Sequence, residues 1–203
     1  MISTFFAPIS FSNFESCATF TAAALTCTFS HLSRKDFDYS KSFYYESLVD
    51  IFDKLNFDIY WKSNNGKCKN VCKRVKNSLV KSFGNNIYDN LLLKVFKSDI
   101  KSLKERNNLI FLHGRGSHGP LYYNRYPQDF EKFKPSCKNE IQNCKKEEII
   151  NSYDNTIYYT SYLIKEILDN LQKYKDEYKN GVLIIKVPKQ HVEETKKKRL
   201  EIK

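Results

Sequence analysis

The chain has 203 residues, of which 41% are hydrophobic and 15% aromatic, so it is too apolar to be disordered and can bury a core. Lys and Arg total 34 against 23 acidic residues, and the net charge of +11 predicts an anionic partner: nucleic acid, phospholipid head groups or a phosphorylated glycolipid. Since the sequence has no helix-turn-helix, zinc-finger or RNP pattern, we do not expect nucleic acid. The uncharged run at residues 16–30 is too rich in Ser, Thr and Ala for a membrane span.

The first half of the chain contains three predicted elements. A run of small residues predicts a helix at residues 19–29, with Thr and Ser caps at its start. Apolar positions at helical spacing predict a second helix over residues 42–55. Alternating aromatic and β-branched residues predict a strand at residues 57–61, which an Asn-Asn-Gly turn at 64–66 ends.

The second half alternates helices with short apolar runs. We predict helices at residues 88–103 and 147–174, and the latter has a core face made of Ile150, Ile157, Ile164, Ile167, Leu168 and Leu171. The runs at 108–113 and 181–185 predict strands buried on both faces, and the glycines of 114–120 exclude regular structure there. This alternation predicts an α/β fold with a parallel sheet, in which ligands bind beyond the carboxyl ends of the strands.

Six cysteines fall into three local pairs, Cys17 with Cys27, Cys68 with Cys72, and Cys137 with Cys144. This clustering favours disulfides between neighbours and an oxidising compartment. Two alternatives remain at this point: a zinc site, which the absence of a CxxC pair disfavours, and free thiols in a reducing cytosol. Residues 1–8 lack the basic start and apolar core of a secretory signal, so we expect any exporting segment upstream.

Three motifs carry groups suited to phosphate chemistry. SCATFTA at residues 16–22 places hydroxyls at a helix start, where unpaired amides favour an anion. SNNGKCK at 63–69 offers amide and ammonium donors in a turn, and GSHGP at 116–120 holds a histidine between glycines. Taken singly, each has a plain structural alternative, namely a helix cap, a chain reversal and a loop residue.

Taken together, the motifs resemble one family. The resemblance covers roughly residues 9–185. It is carried by the following segments: FSNFESCATFTA (11–22), CTFSHLSR (27–34), WKSNNGKCKNVC (61–72), LHGRGSHGPLYYNRYP (112–127), FEKFKPSC (130–137) and INSYDNTI (150–157). These are similar to the lipid A phosphoethanolamine transferases, which include the mobile colistin-resistance proteins and belong to the alkaline phosphatase and sulfatase superfamily.

The resemblance implies a fold and a reaction. The fold would be a three-layer α/β/α sandwich around a mainly parallel sheet. Phosphoethanolamine would pass from phosphatidylethanolamine to Thr21, and from this phospho-threonine to a phosphate of lipid A or of a core sugar. A zinc ion on the Thr21 oxygen would assist the transfer. The setting would be the periplasmic face of the inner membrane, with the six cysteines in three disulfides.

The resemblance also assigns residues to the site. Thr21 matches the nucleophile and one metal ligand, and His118 matches a histidine beside the metal and the phosphate. Thr19 matches a hydroxyl of the same pocket. Asn65 and Lys69 match the pair that contacts phosphoethanolamine.

The chain departs from the family pattern at its ends. Ala18 and Thr26 replace a usual Gly and Pro, which the fold should tolerate. The family's zinc-binding Glu would lie upstream of Met1, and KVPKQH at residues 186–191 stands in place of the family's Ser-Asp-His-Gly-Glu. We therefore expect an incomplete sulfatase-like domain at residues 1–185 and a basic out-of-family tail at 186–203, created by a frameshift.

These departures affect the expected activity. With most zinc ligands outside it, this chain alone should bind zinc weakly and turn over little. Two alternatives to a transferase remain, a non-catalytic truncated gene product and a basic protein that binds anionic glycolipid.

Overall fold

A computed structural model describes residues 15–76, 78–84, 88–103 and 107–177. Its helices and strands, in chain order, are as follows: α1 Thr21–Thr28, α2 Leu48–Lys54, β1 Asp58–Ser63, β2 Ser78–Ser82, α3 Asn90–Asp99, β3 Asn108–His113 and α4 Lys146–Glu177. Short 3₁₀ turns lie between them. In this part of the chain no helix is both long and apolar enough to cross a membrane. The strand predicted at residues 181–185 lies outside the described residues.

The described strands form one parallel sheet in the order β2-β1-β3. Asp58 pairs with Asn108 at one end of β1, and Ser63 pairs with His113 at the other, so both strands end at the same level. The predicted burial of β3 on both faces is wrong, because its six residues are only half-buried. The α/β class and the parallel sheet are confirmed, and the sheet is that of an incomplete sandwich.

The main core lies between the sheet and α2. Val49, Ile59 and Trp61 are each at most 1% exposed, and Phe29 and Phe111 pack their rings edge-on or tilted around this cluster. Burying aromatic side chains of this size is the largest favourable contribution that a small core has. The Phe29 contact fixes the carboxyl end of α1 against the sheet.

Helix α2 begins at Leu48, six residues later than predicted. Ser47 and Asp50 form a capping box, in which each side chain bonds the other residue's backbone N–H, and this pair sets the helix start. Arg74 bonds the Asp50 carboxylate at 2.6 Å. Burial opposes ionisation of Asp50, but the hydrogen bonds from Arg74 and Ser47 outweigh it and lower the pKa of this carboxyl.

Helix α4 buries only part of the predicted face. Ile167 packs against the buried Tyr159 and Leu163, and Leu171 is half-buried. The other four predicted residues, Ile150, Ile157, Ile164 and Leu168, are 44–53% exposed. The reason is Asn155, whose amide oxygen accepts the N–H groups of residues 132 and 133 and whose amide nitrogen donates to the residue 133 carbonyl. These hydrogen bonds turn the polar stripe of α4 inward.

All six cysteines are in disulfides, which pair Cys17 with Cys27, Cys68 with Cys72, and Cys137 with Cys144. The neighbour pairing is confirmed, and the zinc-site and free-thiol alternatives for these cysteines are wrong. The first bridge ties the segment before α1 to the helix itself. The second closes a tight loop just after β1, which limits how that loop can move.

Candidate active site at the carboxyl ends of the strands

The ends of β1 and β3 meet through polar contacts. Because Ser63 and His113 are register partners, the Ser63 Oγ lies 2.9 Å from His113 Nδ1. The Asn64 N–H donates to the His113 carbonyl at 2.9 Å, and the Asn65 N–H donates to the Ser63 Oγ at 3.1 Å. The predicted substrate-binding Asn65 therefore sits on a fixed backbone at the point where ligands of parallel sheets collect.

Asp89 organises this end of the sheet, and sequence reasoning missed it. Its Oδ1 accepts from Asn64 Nδ2 at 2.8 Å and from the Arg115 N–H at 3.0 Å, and its Oδ2 accepts from the Gly116 N–H at 2.8 Å. A Cβ at Gly114 would lie only 2.7 Å from Oδ2. The one signal in the sequence, an acidic residue just before α3, would have been interpreted as a helix cap, but the carboxylate makes no cap bond.

His118 lies on the loop that Asp89 holds. Its side chain is exposed, and its Nδ1 lies 2.8 Å from the Gly119 carbonyl oxygen. Because a carbonyl only accepts, Nδ1 carries the proton of this bond, and Nε2 is left as an acceptor when the ring is neutral. The Arg125 Nε donates to the His118 carbonyl at 2.8 Å, and Ser117 bonds Thr156 of α4 at 2.6 Å.

Lys69 is held close to the same strand ends. Its backbone is left-handed, with φ of 48°, and its ammonium lies against Gly66, whose φ of 80° favours glycine at that position. Burial lowers the pKa of His113, the Lys69 charge lowers it further, and Asp89 partly opposes both. His113 is therefore neutral at pH 7.

Thr21 is the first residue of α1 and is half-buried, whereas Thr19 is exposed in the turn before the helix. The residue at the cap position is Phe20, which offers no side-chain bond, so the prediction of Ser and Thr caps is wrong. The first turn of α1 has no acidic residue, and its amides keep the partial positive charge of a helix start. Within the described residues, no hydrogen bond or ion pair links Thr19 or Thr21 to Lys69 or His118.

The described side chains show whether this part of the chain could hold a metal ion by itself. Across residues 15–76, 78–84, 88–103 and 107–177, no three His, Cys, Asp or Glu side chains lie together in a way that could hold a metal ion. A catalytic zinc takes about three protein ligands. The described residues do not form a zinc centre by themselves. The roles proposed below for their side chains do not depend on a metal ion.

Comparison with known proteins gives consistent results. The Sulfatase family profile matches residues 6–185. Phosphoethanolamine transferase EptA of Salmonella typhimurium is 37% identical over 185 residues, which are 87% of this chain and 34% of that protein. Phosphatidylethanolamine transferase Mcr-1 of Escherichia coli is 32% identical over 189 residues, 86% of this chain and 35% of Mcr-1.

Solved structures share the fold. The C-terminal periplasmic domain of phosphoethanolamine transferase EptC from Campylobacter jejuni has a TM-score of 0.74 and 40% identity, over 81% of this chain and 52% of that domain. The periplasmic domain of EcEptC from Escherichia coli, in complex with Zn, has a TM-score of 0.60 at 18% identity, over 76% of this chain and 46% of that domain. The chain thus spans about a third of the curated relatives and about half of the solved domains. By these matches the chain belongs to the Sulfatase family and is similar to its phosphoethanolamine transferases.

Proposed function

We propose that this chain is part of the catalytic domain of a phosphoethanolamine transferase that modifies lipid A at the periplasmic face of the inner membrane. The observation that carries the proposal is the match to EptA and EptC over more than four fifths of the chain. The three disulfides support an oxidising compartment such as the periplasm. We also assign residues 1–185 to the sulfatase-like domain and residues 186–203 to a basic tail.

The reaction has two steps, both centred on Thr21. In the first, the Thr21 oxygen attacks the phosphorus of phosphatidylethanolamine, and the bond from phosphorus to the diacylglycerol oxygen breaks. Diacylglycerol leaves with the proton that the hydroxyl gave up. In the second, a phosphate oxygen of lipid A or of a core sugar attacks the same phosphorus, and the bond from phosphorus to the Thr21 oxygen breaks. The Thr21 oxygen takes up the proton that the acceptor phosphate releases, which regenerates the hydroxyl.

The start of α1 assists the first step. Its amides are free of side-chain caps, and their partial positive charge stabilises the negative charge that develops on the Thr21 oxygen and on the phosphoryl group. The His118 Nε2 has no bond to a described residue; it can accept the proton from the Thr21 hydroxyl and pass it to the leaving diacylglycerol oxygen.

The remaining residues bind the donor. Lys69 supplies a positive charge for the phosphate, Asn65 supplies amide hydrogen bonds, and Thr19 supplies a hydroxyl. In the complete enzyme we propose zinc as the cofactor, with Thr21 as one of its ligands. EcEptC in complex with Zn supports zinc for that protein.

A graft tests the proposal even if zinc ligands lie outside this chain. Residues 15–177 replace the matching segment of Campylobacter jejuni EptC, and lipid A is analysed for added phosphoethanolamine by mass spectrometry. We expect transfer, and we expect Thr21→Ala to lower the rate about a thousandfold because the nucleophile is gone.

Thr28→Ala is the matched control, since it removes a hydroxyl at the far end of the same helix. It should leave the rate within about twofold. A folded graft that transfers nothing, or one in which Thr21→Ala stays active, would contradict the proposal.

A further inference from the structure

Three lysines line one open depression beside the site. Lys67, Lys69 and Lys73 surround it together with Cys68 and Asn70, and its volume is about 480 Å³. No acidic side chain contributes to its wall. The depression is open to solvent, so an anionic head group can reach its lysines.

The three ammonium groups have no carboxylate partner among the described residues. Some other lysines of the described residues are paired with a carboxylate: Lys62 pairs with Asp99 at 2.9 Å, and Lys97 pairs with Glu166 at 3.2 Å. Like charges that gather without a counter-charge repel one another, and an anion bound between them relieves that repulsion.

The loop that carries these lysines has a defined shape. The Cys68–Cys72 disulfide closes it, Lys69 and Asn70 are left-handed with φ of 48° and 71°, and Val71 is only 2% exposed in the main core. A cation presented on a constrained loop loses less conformational entropy on binding than one on a mobile segment.

Lys69 connects the depression to the proposed active site. It lines the depression, and its charge also acts on His113 at the end of β3. An anion held by Lys67 and Lys73 would therefore lie next to the place proposed for the donor phosphate.

We propose that this depression binds the acceptor of the reaction through its phosphate, with Lys67 and Lys73 as the residues that select a phosphorylated glycolipid. The inference rests on the proposed function. Lysine suits this role because its ammonium is a compact charge that meets phosphate oxygens from several directions.

The test measures binding of this 203-residue chain to phosphatidylcholine vesicles that contain diphosphoryl lipid A. Two further vesicle sets contain lipid A without its phosphates, or phosphatidylglycerol at equal charge. We expect tightest binding to diphosphoryl lipid A. The double variant Lys67→Gln/Lys73→Gln should bind it about tenfold more weakly, since each lysine near an anionic surface contributes appreciably.

The control Lys35→Gln/Lys94→Gln removes the same charge from two exposed sites and should change binding by less than about twofold. Thermal unfolding of both double variants checks that they fold. Equal loss in the two double variants, or equal binding to phosphatidylglycerol and lipid A, would overturn the inference. The binding test does not involve Thr21. Whether the graft transfers phosphoethanolamine therefore tests the proposed function separately from this inference.

Discussion

Two neighbouring regions at the end of the sheet use charge in opposite ways. At Asp89, one carboxylate accepts three hydrogen bonds from residues that follow two neighbouring strands. Its oxygens are therefore occupied by bonds within the protein. In the loop after β1, Lys67, Lys69 and Lys73 line a depression without a carboxylate. The first arrangement fixes geometry, whereas the second leaves charge available for a ligand. Substitutions in the two regions should therefore have different consequences for stability and for binding.

The largest effect on stability is expected for Asp89→Ala. It leaves the N–H groups of Arg115 and Gly116 and the amide of Asn64 without their acceptor, at a cost of about 3 kcal/mol. Denaturant unfolding measures it. Asp89→Asn keeps one accepting oxygen and should cost about half as much. A loss below about 0.5 kcal/mol for the alanine variant would mean that Asp89 does not organise the site.

Gly114→Ala should cost about 2 kcal/mol, because the new Cβ would lie 2.7 Å from the Asp89 carboxylate. The cost comes from that contact, so it should shrink when the carboxylate is absent. A double-mutant cycle with Asp89→Ala measures the coupling. Additive losses would show that the glycine is needed for another reason.

His113 should make the stability of the folded protein depend on pH. Its pKa is lowered in the folded protein, mainly by burial and then by Lys69, so the unfolded chain binds a proton more readily than the folded one. Its contribution to stability is fully present above the unfolded pKa of about 6.5 and is lost as pH falls through the folded value.

Unfolding free energies measured at several pH values below 7 test this. His113→Gln should reduce the loss of stability on acidification. Identical pH profiles for the parent protein and His113→Gln would contradict the assignment.

The smallest effect on stability is expected for Lys67→Gln. Its ammonium has no described partner, so removing the charge should change the unfolding free energy by less than about 0.5 kcal/mol. The same holds for Lys73→Gln. A loss above about 1 kcal/mol in either variant would show that these lysines stabilise the fold, and the contrast with Asp89 would disappear.

Local pattern predicted much of this fold. The strand at residues 108–113 has the predicted limits, and α1 and α4 lie within one to three residues of theirs, because short apolar runs and small-residue helices are signalled locally. β2 was missed because only Leu79 and Val80 are apolar in it, between Ser and Lys residues. The inward face of α4 was predicted only in part, because the hydrogen bonds of Asn155 to a distant loop also decide it.

The residues of the candidate site differ in the same way: some have a local sequence motif, and others depend on contacts between distant segments. Asn65, Lys69 and His118 stand in motifs that can be read along the chain, and the structure places each at or beside the strand ends. Asp89 has no local motif, and its role arises only when α3 brings it against the loop after β3. The roles of all five residues, including Thr21 and Thr19, stay predictions.

The central claim is that the Thr21 oxygen accepts phosphoethanolamine. The direct measurement is tandem mass spectrometry of the graft after incubation with phosphatidylethanolamine and without acceptor, with the modified residue located within residues 16–30. We predict one phosphoethanolamine group on Thr21, which is removed when lipid A is added. Modification of Thr19, Thr26 or Thr28 instead, or none in a folded graft, would contradict the account.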